Sequence, residues 1–355
     1  MKRIALVALL ALAALGLWLW IALRVPYQGY PTGGVFIEIP RGTPTGAIAR
    51  ILSEKGIVRS RVAFEGLGRW HARQALQAGD YFFERPMTAF EVFRVLAEGR
   101  VYVHTVTVPE GLTMFDIAEL MEQQGLCRRE EFLAAARDPL PIRDLAPHAR
   151  SLEGFLFPAT YQFRRRITAP EIVETMVRRF REVWDSFPER GRNPHGLSVA
   201  EVVTMASLVE GETGLPDERL IIAGVFYNRL HRGVALQCDP TVIYALRLAN
   251  RYTGTLQKSD LDSDSPYNTY RRLGLPPGPI VNPGQASLRV VLFPPDVDYL
   301  YFVSNTQGGH FFSKTLAEHN NNVARYRRLL AQAQSGGEKS NDLRPEKSPR
   351  ARSPR

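Results

Sequence analysis

The sequence predicts an α+β protein in three parts: a single N-terminal transmembrane helix, a small β-α-α-β module, and a larger α-rich domain with short strands. Three observations predict this. Ile4 to Leu23 is an unbroken apolar run. A strand–turn–helix pattern then occurs twice at a fixed offset. Further on, an almost wholly apolar helix ends in two carboxylates, followed by loops rich in Pro, Gly, Tyr and Asn. Of the 355 residues, 45% are apolar, an ordinary share for globular material. Roughly 330 residues remain after the apolar run, more than one typical domain.

At about 1.5 Å per residue the run from Ile4 to Leu23 spans roughly 30 Å, one hydrocarbon core. Lys2 and Arg3 precede it, and Trp18 and Trp20 lie near its far end, where interfacial indoles are favoured. A cleaved signal peptide is the competing reading, but its apolar region is shorter, about 7–15 residues. An uncleaved anchor in the cytoplasmic (inner) membrane is therefore expected. The positive-inside rule keeps residues 1–3 cytoplasmic and places everything after Arg24 outside. Residues 4–23 are the anchor and 24–34 a linker; a second segment of this kind does not occur.

The net charge is +9, of which Lys2 and Arg3 supply +2 and the stretch from Ser335 to Arg355 supplies +3. The folded part is only mildly basic, which suits a membrane surface or an acidic polymer, and no nucleic-acid motif is present. The tail, 333–355, is rich in Ser, Pro, Lys and Arg without apolar periodicity and reads as disordered. Cys127 and Cys238 fall in different elements, so a disulfide between them stays open. No Cys/His spacing matches a metal site, HExxH is absent, and no cofactor is expected. Asp260, Asp262 and Asp264 read as a solvated acidic turn, lacking the glycine and terminal Glu of a calcium loop.

The repeated pattern defines the module over 35–106. Val35 to Ile39 alternates as a strand, Pro40-Arg-Gly42 makes a turn, and an amphipathic helix carrying Ile48, Ala49 and Leu52 ends at Gly56. His104 to Val108, Pro109-Glu-Gly111, Ile117, Ala118, Met121 and Gly125 repeat it, the prolines and glycines at one offset of 69 residues. Between the copies a strand is expected at Tyr81-Phe82-Phe83, and a helix opened by the capping box Thr88-x-x-Glu91. This arrangement resembles LysM-type domains, which hold amino-sugar polymers; a plain spacer above the membrane is the alternative.

From 107 to 332 the chain reads as one α-rich domain. Ser151 to Tyr161 is an aromatic loop carrying Glu153, and a helix is expected over 169–187. From Val202 the sequence is apolar nearly all round, as in a buried helix. Glu212 continues the Leu208–Val209 stripe, and Gly211, Gly214 and Pro216 are expected to stop the helix. A carboxylate there is partly desolvated and lies at the negative end of the helix dipole, and both effects raise its pKa. Such a group suits general acid work near neutral pH. Glu210 is the rival acid. Two residues away is roughly 200° round a helix, so it faces elsewhere and reads as an orienting or structural acid. Another helix is expected over 219–230, and a strand over 299–303 with His310 in the turn after it. The loops between carry Gln237, Tyr267, Asn268 and Tyr270, which offer amide partners for hydroxyls and acetamides and flat rings for sugar faces. Asp239 is expected to cap a helix near Thr241.

These motifs, read together, resemble the YceG-like endolytic murein transglycosylases. Met205-Ala-Ser-Leu-Val-Glu-Gly-Glu-Thr213, Phe226-Tyr-Asn-Arg-Leu230, Leu236-Gln-x-Asp-Pro-Thr-Val-Ile-Tyr244, Tyr267-Asn-Thr-Tyr270, Gly274-Leu-Pro-Pro-Gly278 and Asn282-Pro-Gly284 follow the family's order and spacing. Pro158 and Tyr161 match its upstream aromatic motif. The resemblance implies a catalytic lytic-transglycosylase domain behind an anchor and a LysM-like region. It implies cleavage of the MurNAc-β-1,4-GlcNAc bond of nascent glycan strands without water. The muramyl C6 hydroxyl would attack its own anomeric carbon, leaving a 1,6-anhydro end and terminating elongation beside penicillin-binding synthases. Since the nucleophile is in the substrate, one carboxyl suffices as acid and then base, whereas a hydrolase needs two. Carried over by motif position, that carboxyl is Glu212. Gln237, Tyr267, Asn268 and Tyr270 are the expected sugar contacts, with Glu153 on the cleft rim and Glu210 in support. Cys238 departs from the family's usual threonine, and Gly211 from a long polar residue, which is expected to loosen the helix end. A non-enzymatic peptidoglycan-binding scaffold and a muramidase pairing Glu212 with Glu153 are the alternatives.

Overall fold

The computed structural model describes residues 2–188 and 196–341. Helices and short strands are mixed along the chain, which forms two compact units: residues 2–106 with 161–167, and 107–160 with 168–341.

In the first unit, α1 (Lys2–Arg24) is long and apolar enough to cross a membrane, and none of its apolar window is buried in protein. There follow β1 (Val35–Ile39), α2 (Thr45–Glu54), α3 (Arg61–Trp70), β2 (Gly79–Phe83), α4 (Ala89–Ala97) and β3 (Val103–Thr107). β1 and β2 are antiparallel, with Val35 opposite Phe83 and Ile39 opposite Gly79. The two-residue strand period turns Ile37, Ile39, Tyr81 and Phe83 inward, onto Leu52 of α2, Phe64 of α3 and Leu96 of α4. The capping box that opens α4 is formed: Glu91 N donates to Thr88 Oγ1 at 3.1 Å and Thr88 N donates to Glu91 Oε2 at 2.7 Å. Such a cap contributes about 1 kcal/mol. The sequence reading has no helix between Gly56 and Tyr81; α3 occupies that stretch. Its buried face is only Ala63, Phe64 and Leu67, flanked by exposed Val62 and Trp70, and Gly66 and Gly68 lower the helix propensity of the stretch. β4 (Thr160–Arg164) pairs with β3, and residues 161–167 group with this unit although they lie far along the chain.

The duplication is visible in backbone angles. Gly42 and Gly111 have φ of 79° and 80°, and Gly56 and Gly125 have 69° and 68°. This is the left-handed region, where a Cβ is strained.

The second unit holds α5 (Met114–Gln123), α6 (Arg129–Ala136), α7 (Ala169–Ser186), α8 (Val199–Glu212), α9 (Pro216–His231), α10 (Asp239–Leu248), α11 (Gln285–Leu292), β5 (Tyr301–Ser304), β6 (His310–Ser313) and α12 (Leu316–Asn341). α8 is its axis, packed by α9, α10 and α11. All residues from Val202 to Val209 are buried. Each Leu, Val or Met so enclosed contributes on the order of 1.5–3 kcal/mol relative to an exposed one. Ser198 starts the helix with a capping box to Glu201. β5 and β6 form an antiparallel hairpin with Ser304 opposite His310, so His310 begins a strand and is not in the turn. α12 continues past Gln332 into the stretch assigned to the tail; residues 342–355 lie outside the described residues. Cys127, between α5 and α6, and the buried Cys238 are free thiols.

Candidate functional site

α8 delivers its two acids in opposite directions, as the helix geometry requires. Glu210, whose side chain is 5% exposed, accepts from Gly284 N at 3.0 Å and Ser287 Oγ at 2.7 Å, and pairs with Arg219 at 3.2 Å. It thereby satisfies the Gly284 N–H and the Ser287 hydroxyl at the start of α11 and ties α8 to α9 and α11. Every described contact is structural. Replacing Glu210 by Ala strands two donors and leaves Arg219 with its longer pairing to Glu110, at 3.7 Å. We expect a loss of about 3–5 kcal/mol in unfolding free energy, checked by urea denaturation of the detergent-solubilised chain.

Glu212 ends the other side of α8, half-buried. Burial pushes its carboxyl up to about 7. The negative charge of Asp239 pushes the same way, while a hydrogen bond from the Cys238 thiol and the charge of Arg229 oppose it. Arg229 is 5% exposed and held by carbonyls, with Nε donating to Leu300 O at 2.6 Å and Nη1 to Leu236 O at 2.7 Å. Gly211 departs from expectation. The helix runs through it, and a Cβ there would meet Pro240 at 3.2 Å, so the small residue admits the start of α10 beside the acid.

The loops around Glu212 are knitted by Thr269. Its Oγ1 accepts from Cys238 N at 3.0 Å and lies 3.0 Å from Thr241 Oγ1, and its carbonyl accepts from Gln237 N at 3.2 Å. Cys238, not Asp239, is the N-cap of α10, and Thr241 Oγ1 donates to the Cys238 carbonyl at 2.7 Å. Asp239, released from the capping role, accepts from the Tyr270 hydroxyl. Gln237 is exposed with φ of 51°, an uncommon backbone state for a non-glycine residue. Glu212, Gln237, Cys238, Asp239 and Tyr270 thus share one neighbourhood.

Three expectations need correction. Asn268 is fully buried, and its amide is used internally: Nδ2 donates to Leu261 O and Ser263 O, and Oδ1 accepts from Tyr270 N at 3.0 Å. It shapes the loop and has no face for a sugar. Glu153 lies deep in the wall of a small cavity that it shares with Tyr267 and Arg150, not on an exposed rim. It is 2% exposed, accepting from Met114 N at 3.0 Å and Asn282 Nδ2 at 2.8 Å, with a further hydrogen bond to Tyr244. Burial outweighs these bonds and pushes its carboxyl up to about 8. His310 Nδ1 lies 2.7 Å from Glu218 Oε2, a partner not foreseen.

Tyr267 stands apart from the Glu212 neighbourhood in its contacts. Its ring lies 5.1 Å from that of Tyr244, and two cavities, of about 470 and 160 Å³, both include Tyr267 and Arg150 in their walls. Glu212 lines neither. Arg150, Arg229, Thr269 and Asn282 are the residues the sequence reading did not select. Asn282 binds Leu112 O, Glu153 and Leu156 N at once, and only its place in an Asn-Pro-Gly turn hinted at it. No group of His, Cys, Asp or Glu side chains able to hold a metal occurs among the described residues.

Comparison with known proteins matches this geometry to a family. The model of the YceG-like family covers residues 37–325. The chain is 34% identical over 308 residues to an endolytic murein transglycosylase of Bacillus subtilis, covering 82% of this chain and 84% of that one. It is 30% identical over 322 residues to the endolytic murein transglycosylase of Streptococcus pneumoniae D39, of whose length it spans 58%. A solved yceG-like protein of Listeria monocytogenes superposes with a TM-score of 0.55 at 33% identity, over 82% of this chain and 99% of that one. With its buried α8, its paired acids and the loops that follow in family order, the chain belongs to the YceG-like family.

Proposed function

We propose that this protein is a membrane-anchored endolytic lytic transglycosylase that cuts peptidoglycan glycan strands, with Glu212 as its acid and base. The observation that carries the reading is a half-buried Glu212 at the end of α8, set among Cys238, Asp239 and Arg229, where burial pushes its carboxyl up to about 7. A group poised there donates a proton to the leaving oxygen and then accepts one from the muramyl C6 hydroxyl. Relatives named endolytic murein transglycosylase support the same chemistry. Exposed Gln237 and half-buried Tyr270 are placed to contact sugar beside the acid, and Tyr267 with Arg150 to hold a ring further along the strand. Asn268 and Glu153 act by fixing the loops that carry these residues.

The 1–3, 4–23, 24–34, 35–106, 107–332 and 333–355 division stands as part of this proposal. α1 anchors the chain with its N-terminus in the cytoplasm, and the LysM-like module of 35–106, a β-hairpin bracketing two helices, contributes glycan affinity. Cutting close to the membrane, where nascent strands emerge, would terminate elongation beside penicillin-binding synthases.

The test is mass spectrometry of uncross-linked nascent glycan digested by the full chain in detergent. Internal cuts ending in 1,6-anhydro-MurNAc are expected. Products heavier by one water would make it a hydrolase. Glu153, almost fully buried and with its carboxyl pushed up to about 8, lines the Tyr267 cavity and not the Glu212 neighbourhood, which leaves Asp239 as the acid to examine. Binding without cleavage would make it a scaffold.

Cys238 tunes the acid. A stronger donor stabilises the ionised carboxylate, so Cys238→Thr should move the alkaline limb of the cleavage pH profile to lower pH, and Cys238→Ala should move it up. A profile unchanged by both would disconnect this thiol from Glu212.

A further inference from the structure

α3 carries an apolar stripe that its own unit does not use. Val62, Gly66 and Trp70 are four residues apart and share one helix face. Val62 is 71% and Trp70 87% exposed, and a Cβ on Gly66 would touch nothing. Beside the stripe run the last turns of α1. Trp18, Leu19 and Leu23 join Val62, Gly66 and Trp70 in the walls of one apolar groove of about 370 Å³.

We infer that this face of α3 lies in the lipid interface at the outer end of α1, so that the first unit rests on the bilayer instead of standing above it on a linker. The inference rests on the reading of α1 as a membrane anchor. The occupant of the groove is lipid for three reasons. A helix whose apolar run begins at Ile4 and fills one hydrocarbon core brings Trp18 to Leu23 to the outer edge of that core, next to the headgroups. The stripe opens into the same groove as those residues, so it shares their depth. Trp is the side chain that favours this depth, with an apolar body and one polar edge. The rim is cationic as well. Arg24 and Arg59 stack over Phe90 and Tyr27 at 4.5 and 4.7 Å, and Arg61 and Arg69 share a single acid, Glu65. Their unmatched charge suits phosphate headgroups.

The test uses the full chain in vesicles of phosphatidylethanolamine and phosphatidylglycerol. A spin label is placed at Val62→Cys in a Cys127→Ser background; Cys238 is fully buried and escapes labelling. Labels at Leu12→Cys in α1 and at Leu140→Cys, a 65% exposed position, give the hydrocarbon and water references. Collision rates with oxygen and with a water-soluble nickel chelate are compared. The inference expects the oxygen-to-nickel ratio at 62 to exceed that at 140 at least fivefold, and to fall back to it when Trp70→Asp is added. A ratio at 62 equal to that at 140, with 12 in hydrocarbon, would overturn the inference and leave the anchor standing. Low collision rates with both reagents would mean that protein, not lipid, covers the stripe, which also overturns it. A water-exposed label at 12 would overturn the anchor and the inference together.

Discussion

Glu212→Gln abolishes strand cleavage: we expect the rate to fall by about 10²–10⁴-fold, the usual worth of a general acid and base, with glycan binding retained. Gln is isosteric and fits the half-buried site at the end of α8, so loss of activity will not reflect misfolding. The wild-type pH profile carries the same information. The carboxyl is pushed up to about 7 by burial and by Asp239, so it is protonated below that pH and ionised above it. The first step needs the proton, and the rate should therefore decline as pH rises through about 7. Anhydro products counted by mass spectrometry from pH 5 to 9 check this. A flat profile, or a Gln variant with full activity, would remove Glu212 from the chemistry.

Glu153→Ala should be among the most destabilising single changes in the second unit. It removes the acceptor of Met114 N and of Asn282 Nδ2, both in the interior, and leaves a void beside Tyr244. Each stranded donor costs about 1–3 kcal/mol, so a loss on the order of 3–5 kcal/mol is expected, read by urea denaturation. Glu153→Gln should behave in the opposite way. The folded-state carboxyl is raised to about 8, against about 4.5 when exposed, so the native state holds the extra proton between those values. Stability of the wild type therefore falls as pH rises through that window and levels off above it, by an amount on the order of a few kcal/mol. Gln keeps an acceptor for Met114 and Asn282 without a charge to desolvate, and should hold its stability as pH rises from about 5 to 8, where the wild type declines. Equal pH slopes in the two proteins would contradict a buried, neutral Glu153.

The corrections share a cause. Asn268 and Tyr270 look alike in sequence as polar members of one loop, yet one is sealed by three internal bonds and the other turns its hydroxyl to Asp239. An aromatic loop with one carboxylate fits a cleft rim as well as a buried wall, and packing puts Glu153 in the latter. α3 gives a weak signal because its core face is three residues and two glycines lower its helix propensity. The Thr269 hub joins residues about thirty apart, and no local pattern announces such a bond.

The sequence by itself determined the elements whose cause is local or periodic. These are the apolar length of α1, the repeated Pro-x-Gly turns with their left-handed glycines, the apolar wrap of α8, and the angle of roughly 200° that sends Glu210 and Glu212 to opposite sides. Ordered motifs also named the family. Only the tertiary structure decided what each polar group meets: Glu210 at the start of α11, Cys238 and Arg229 around Glu212, and Glu153 shut in the core against Met114 and Asn282. Burial and long-range partners set a carboxyl's charge state, and both depend on residues far away in the chain. Spacing along the sequence decides where a side chain points, and packing decides what it finds there.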